Sequence, residues 1–293
     1  KMPEDGMTKG GIYPAIIGTL YLVAGSMIVA FPLGVMAGIY IHEYTLDSFF
    51  KRIIKLMTNN LAGIPSIVFG LFGMALFVNT MKFGDSIIAG SLTLGLLALP
   101  VVIRVTEEAL IAIDDSFRHG SYALGATKLQ TVRKVILPMA MPNIITGLIL
   151  SIGRVSGETA PILFTVAAYF LPKLPTSLFD QVMALPYHLY VIPTSGTKVA
   201  ESRDMAYGTA LVLVLFVLIL NLEMNLMPWK KDVHFLEIFL MLLNVNQLEM
   251  LLNRLSNVHF ARVDFSVLID RLIMLTIDFH DRIMYLYLLI VIQ

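Results

Sequence analysis

Thirty-three consecutive residues without a formal charge separate Lys9 from Glu43. The hydrocarbon core of a bilayer is crossed by roughly 20 apolar residues in a helix. Helix is the form such a run takes, because lipid offers no partner to an unpaired backbone N–H or C=O. A second run of 26 lies between Lys55 and Lys82. Runs of 18 lie between Asp85 and Arg104 and between Asp204 and Glu223. The stretch from Lys134 to Lys173 is apolar apart from Arg154 and Glu158. The expectation is an all-α polytopic membrane protein with five transmembrane helices in this chain. The composition agrees, with 57% hydrophobic and 14% charged residues and a mean hydropathy of +0.79. The first run is too long for the apolar part of a secretory signal.

Several functions are excluded at this level. Twenty-one basic residues balance twenty-one acidic ones, so the chain lacks the cationic excess by which proteins displace counterions from nucleic acid. There is no cysteine, which removes disulfides, thiolate nucleophiles and zinc–thiolate sites. His42, His119, His188, His234, His259 and His280 never fall four apart, so no HExxH pair exists and no metal site is expected.

Lysine and arginine are retained on the cytoplasmic side of membrane proteins. One set of loops carries ten: Lys51, Arg52, Lys55, Arg104, Arg118, Lys128, Arg133, Lys134, Lys230 and Lys231. The other carries six: Lys1, Lys9, Lys82, Lys173, Lys198 and Arg203. The first set is therefore placed in the cytoplasm. Residues 1–10 then form an outer N-terminal segment, and one further helix is expected ahead of them. Along the chain, spans one to three (11–105) are followed by a cytoplasmic segment (106–137). Span four and an outer loop (138–203, the loop over 171–203) and span five (204–227) complete the pattern. The cytoplasmic segment reads as helix, break, helix, with cap residues at Asp114, Asp115 and Ser116 and a left-handed stop at Gly125. In the outer loop the apolar stretch Val182 to Tyr190 suits a short helix along the bilayer surface. Residues 232–293 form a tail whose apolar residues recur at helical spacing between isolated charges.

Arg154 and Glu158 are the residues that demand a reason. They fall near the centre of the fourth apolar stretch, where an isolated charge costs roughly 2.5–3.5 kcal/mol. Two readings stand. Four residues apart on one helix face, they could neutralise each other as an ion pair. Alternatively they line a polar translocation path together with Ser156 and Thr159, where a guanidinium offers paired donors to an oxyanion. Gly153 and Gly157 form a GxxxG, flanked by the small pair Ser156 and Ala160, and Gly34 and Gly38 repeat the spacing in the first span. Pro161 deprives the Gly157 carbonyl of its helical partner and predicts a kink beside the charges.

Two motif matches carry no chemistry. Gly120 to Thr127, GSYALGAT, has phosphate-loop spacing, but Ala126 stands at the lysine position and no strand precedes it. Ser195 to Lys198 matches SxxK without its SDN or KTG companions. No catalytic residue is assigned, and no cofactor is expected in this chain.

The cytoplasmic segment resembles the EAA loop of permease subunits of binding-protein-dependent ABC importers. That loop is Glu-Ala-Ala, three residues, Gly, nine residues and Ile-x-Leu-Pro. Here Gly125 and Ile136-Leu137-Pro138 fall close to its register, while the Glu-Ala-Ala positions read His119, Gly120 and Ser121. Within that family RVSGETAPILFT, Arg154 to Thr165, looks like the signature of the A-type permeases of phosphate-specific importers. GGIYPAIIGTLYL near the start and AGIPSIVFGLFG at 62–73 look like the same subunit.

The resemblance implies an importer transmembrane domain over 11–231, with six spans in complete members and so one absent ahead of these five. It implies a multi-pass protein of the prokaryotic cytoplasmic membrane that moves inorganic phosphate, with other oxyanions (phosphonate, sulfate, molybdate) and an ion-coupled carrier as alternatives. The implied partners are a C-type permease, two ATPase subunits that hold ATP and magnesium, and an extracytoplasmic phosphate-binding protein. His119, Gly120, Ser121, Gly125, Ala126, Thr127 and Lys128 would dock on the ATPase. Arg154 and Glu158 would serve transport.

Overall fold

The computed structural model describes residues 3–4, 9–46, 49–171, 173–195 and 203–226. The tail over 232–293, Lys1, Lys198, Lys230 and Lys231 lie outside the described residues. Apart from a two-residue antiparallel pairing of β1 (Pro3–Glu4) with β2 (Lys9–Gly10), the described residues form helices joined by short loops.

The first apolar run becomes α1 (Tyr13–Ile39), extended by a π-helical turn over Tyr40–Tyr44. It packs along α4 (Ile87–Ile111) through small residues. A β-carbon on Gly34 would stand 2.6 Å from Val102 Cγ1, and one on Gly38 would stand 2.7 Å from Thr106 Cβ. The spacing seen in the first span therefore serves close helix packing, which in lipid must supply what hydrophobic burial supplies in water. Buried hydroxyls are closed on their own helices. Thr93 donates to the Ala89 carbonyl at 2.7 Å, Thr106 to Val102 at 2.8 Å and Ser151 to Gly147 at 2.9 Å. The exception is the buried Ser91 hydroxyl, which has no hydrogen-bond partner among the described residues.

The second apolar run is not one straight helix, contrary to its reading as a single span. It divides into α2 (Phe49–Ala62) and α3 (Ser66–Gly73), the latter continued as π-helix over Met74–Thr80. The axes meet at 97° across Gly63, Ile64 and Pro65. Pro65 excludes the helical conformation from the residue before it, and α2 carries Lys51, Arg52 and Lys55. By length and apolarity, α1, α4 and the helix running from Lys128 to Ser156 qualify alone as spans, with the bent pair as a fourth. The fifth run forms α10 (Arg203–Leu226), whose apolar part, Asp204–Ile219, is shorter.

The segment over 106–137 follows its sequence closely. After α4 the chain enters α5 (Asp115–Ala123), and Asp114 Oδ1 caps it by accepting the Ser116 N–H at 2.8 Å. Gly125 ends the turn at φ +80°, a conformation that costs other L-residues energy. Then α6 (Lys128–Thr131) runs through a π-helical stretch, Val132–Ile136, into α7 (Leu137–Ser156). At the opposite end a short α8 (Ala160–Thr165) and α9 (Leu185–Ser195) close the structure. In place of a surface helix, α9 is packed inward: Leu185 and Ile192 join a buried cluster with Ala15 and Met183. The Thr19 hydroxyl accepts the Leu185 N–H at 2.9 Å and ties α9 to α1.

Lys51, Lys55 and Lys128 gather at one end. Lys51 donates to the Thr45 carbonyl, Lys55 pairs with Glu107, and Lys128 Nζ lies 5.3 Å above the Tyr44 ring. Lys173 belongs to the loop at the other end, where Asp180 accepts the N–H groups of Thr176 and Ser177. These amides hold the Asp180 carboxyl below its ordinary pKa.

Candidate functional site

Two regions carry the residues singled out by sequence. In the first, Arg154 and Glu158 do not share one continuous helix, and the expected kink is a break. Helix α7 stops at Ser156, and tight turns follow, in which Gly157 N–H donates to the Arg154 carbonyl and Glu158 N–H to Val155, both at 3.2 Å. Pro161 opens α8 one position inside its start, where its missing N–H costs nothing. Arg154 thus sits in the last turn of α7, where a cation is favoured by the helix dipole. Glu158 sits in the break.

Their closest approach is 3.7 Å, Arg154 Nε to Glu158 Oε1, with side-chain exposures of 42% and 18%. That is an ion pair without a hydrogen bond. Among the described residues no acceptor hydrogen-bonds the guanidinium, so its donors are open. Ser156 is turned away: it is buried, and its hydroxyl donates to the Ile152 carbonyl at 2.7 Å. Thr159 stands at the head of α8, half-buried, and its carbonyl accepts Leu163 N–H at 3.0 Å. Gly157 is exposed, and a β-carbon there would meet only the Arg154 carbonyl at 3.8 Å. Its expected close-packing role is therefore absent among the described residues. The neighbouring contact is instead made by Gly70 of α3, where a β-carbon would lie 2.9 Å from the Ala160 carbonyl.

The second region is the turn between α5 and α6. His119, Gly120, Gly125, Thr127 and Lys128 are exposed, and Ser121 and Ala126 are half-buried. The Ser121 and Thr131 hydroxyls lie 2.9 Å apart and join α5 to α6. Thr127 and Gln130 form a reciprocal capping box: Thr127 Oγ1 accepts the Gln130 N–H at 3.3 Å, and Gln130 Oε1 accepts the Thr127 N–H at 2.9 Å. The TKLQ spacing would have shown that box. Sequence reasoning also passed over Leu124 and Leu129, which present 91% and 65% of their surface on this turn. Arg118, the residue before His119, is buried against Glu43 at the end of α1.

Comparison with known proteins shows the family. Residues 30–227 match the family of binding-protein-dependent transport system inner membrane components. A phosphate transport system permease protein PstA of Mycobacterium leprae is 41% identical over 222 residues, covering 75% of this chain and 71% of that protein. The probable ABC transporter permease protein YqgI of Bacillus subtilis is 36% identical over 225 residues, covering 73% of this chain and 76% of that one. A probable phosphate transport system permease protein PstA of Methanocaldococcus jannaschii is 37% identical over 212 residues, covering 72% and 74%. Among solved structures, an inward-facing MetNI methionine ABC transporter superposes with a TM-score of 0.56 at 18% identity, over 73% of this chain and 94% of that one. A bacterial ABC transporter that imports alginate also gives 0.56, at 14% identity over 74% and 79%. The family match covers the α1–α4 pair, the exposed turn and the broken α7–α8 helix alike, and the chain belongs to the binding-protein-dependent ABC-importer permeases of the inner membrane.

Proposed function

We propose that the chain is the A-type permease subunit of an ATP-driven importer of inorganic phosphate. The observation that carries this reading is the open guanidinium of Arg154 at a helix break, in a chain whose relatives include phosphate transport permeases from a bacterium and an archaeon. Planar paired donors suit a tetrahedral oxyanion. Glu158, 3.7 Å away, weakens anion binding enough to allow release. Ser156, with its hydroxyl committed to the Ile152 carbonyl, is left with only acceptor capacity and drops to a packing role.

In this reading the chain hydrolyses nothing itself. Two ATPase subunits hold ATP and magnesium and dock on the turn over 119–128. A C-type permease completes the pore on the face to which Arg154 is open, and an extracytoplasmic binding protein delivers phosphate.

Uptake of labelled phosphate, sulfate and molybdate by proteoliposomes containing the whole complex tests the proposal. Phosphate is expected to accumulate alone. Arg154→Lys keeps the charge but loses the fork, so uptake is expected to fall by about tenfold or more. The double variant Arg154→Gln, Glu158→Leu is expected to assemble and not transport. Full uptake by that double variant would show the pair to be a replaceable structural one.

A further inference from the structure

The transport reading leaves one group of contacts unused. Arg118, on α5, has a side chain 11% exposed, and its partner Glu43 is 5% exposed. A guanidinium has five N–H donors, and here each has an acceptor. Nε and Nη2 donate to Glu43 Oε1 at 3.2 and 2.8 Å. Nη1 donates to the Ile113 carbonyl at 3.0 Å and to Asp115 Oδ1 at 2.9 Å. Nη2 also donates to the Leu110 carbonyl at 3.0 Å, and His42 Nε2 stands 3.4 Å from it. Burial opposes the arginine's charge, but the hydrogen bonds and charge of Glu43, aided by Asp115, hold its pKa above the usual value.

The acceptors come from three elements. Glu43 lies in the π-helical turn that ends α1, Leu110 is in the last turn of α4 with Ile113 just beyond it, and Asp115 opens α5. Helices α1 and α4 are already interlocked at Gly34 and Gly38. On its other side α5 is joined to α6 by one neutral hydroxyl contact, Ser121 to Thr131, with the left-handed Gly125 between them. The side-chain attachment of the docking turn is therefore lopsided among the described residues: charged, buried and four-fold toward α1 and the end of α4, neutral and single toward α6.

We infer that Arg118 and Glu43 are positioning residues that clamp α5 to the α1–α4 pair, so that a push from a docked ATPase moves these three helices as one body. The inference deepens the transport reading and rests on its ATPase contact, not on its substrate.

The test uses the complete complex with cysteine-free partner subunits, since this chain has no cysteine of its own. Spin labels at Leu46→Cys, just beyond the end of α1, and Phe117→Cys, on α5, report the clamp. Both positions are exposed. Their separation is expected to stay constant to within about 2 Å between nucleotide-free and ATP-bound states, because packed units move as bodies rather than deform continuously. Glu43→Gln keeps an acceptor and the fold but removes the charge. It is expected to make that separation nucleotide-dependent and to lower substrate moved per ATP hydrolysed about tenfold, with ATPase still co-purifying. Arg118→Lys, with three donors for five hydrogen bonds, should do the same more severely. A label separation that changes with nucleotide in the unaltered clamp would overturn the inference, as would an unchanged ratio in Glu43→Gln. A complex that holds the separation constant but accumulates no phosphate would overturn the substrate assignment alone.

Discussion

Two of the arginine–glutamate pairs among the described residues, Arg118–Glu43 and Arg154–Glu158, use the same chemistry to opposite ends. At one end of the molecule Arg118 meets Glu43 at 2.8 Å, with every donor satisfied and both side chains buried. At the break between α7 and α8 Arg154 stands 3.7 Å from Glu158, and its side chain is 42% exposed. A saturated arginine has nothing left to offer a ligand, so the first pair can only hold parts together. An unsaturated one carries fixed charge at low internal commitment, which a passing anion can use. The difference lies in what surrounds the pairs. The Leu110 carbonyl of α4, the Ile113 carbonyl just beyond it and a first-turn aspartate converge on Arg118, whereas among the described residues Arg154 is met only by a carboxylate beyond hydrogen-bonding distance.

The contrast can be broken most forcibly at Arg118. Arg118→Met strands the buried Glu43 carboxylate and two carbonyls, and is expected to cost about 3–5 kcal/mol of stability. Thermal unfolding of the purified complex, monitored on this subunit, would show it. Adding Glu43→Met should recover part of that loss, because the carboxylate no longer needs a partner.

A neutral buried contact marks the middle of the scale. His188 of α9, outside the spanning helices, is 3% exposed and lies 3.3 Å from the Thr209 hydroxyl of α10. Burial pushes its pKa down to about 4 from an ordinary 6.5. An unfolded histidine therefore takes up a proton below pH 6.5 that the folded one refuses until about pH 4. Stability is full above pH 6.5 and declines as the pH falls through that window. At about pH 5.5 the loss should be on the order of 1 kcal/mol. Faster hydrogen exchange over Leu185–Ser195 at pH 5.5 than at pH 7.5, after correction for intrinsic rates, is the expected sign.

The smallest effect is expected where the other charge sits. Arg154→Met removes an exposed, loosely paired cation and should change stability by less than about 1 kcal/mol. Equal unfolding midpoints for Arg154→Met and the unaltered protein, set beside a lost Arg118→Met, would confirm that the two pairs divide holding from handling. A large loss at Arg154 would erase the distinction.

The two pairs were not equally legible. Arg154 and Glu158 announce themselves because charge is scarce from Lys134 to Lys173. Glu43 and Arg118 are 75 residues apart, each at the edge of a charged loop where nothing distinguishes it from its neighbours. Only the close packing of α1 on α4 brings them together. The capped α5 and the Gly125 stop were readable because caps and left-handed turns depend on residues a few positions away. The bend at Pro65 was read as continuous, since counting uncharged residues passes over a proline, and Pro161 was read as a kink where the helix breaks outright. Both prolines sit where the chain changes direction, and what decides between kink and break is the tertiary partner, Gly70 against Ala160 in the second case.

The π-helical turn at the end of α1 has a consequence for registration. There the Thr45 N–H reaches back to the Tyr40 carbonyl at 3.1 Å, one residue further than an α-helix allows. Each α-helical residue advances the azimuth by about 100°, so a single residue more or less in that turn would swing the Glu43 carboxylate far from the face that meets Arg118. The widened turn works as a vernier: the membrane-crossing length of α1 and the bearing of its terminal carboxylate can be set separately. Deleting one residue from Tyr40–Tyr44 would keep the span and lose the bearing.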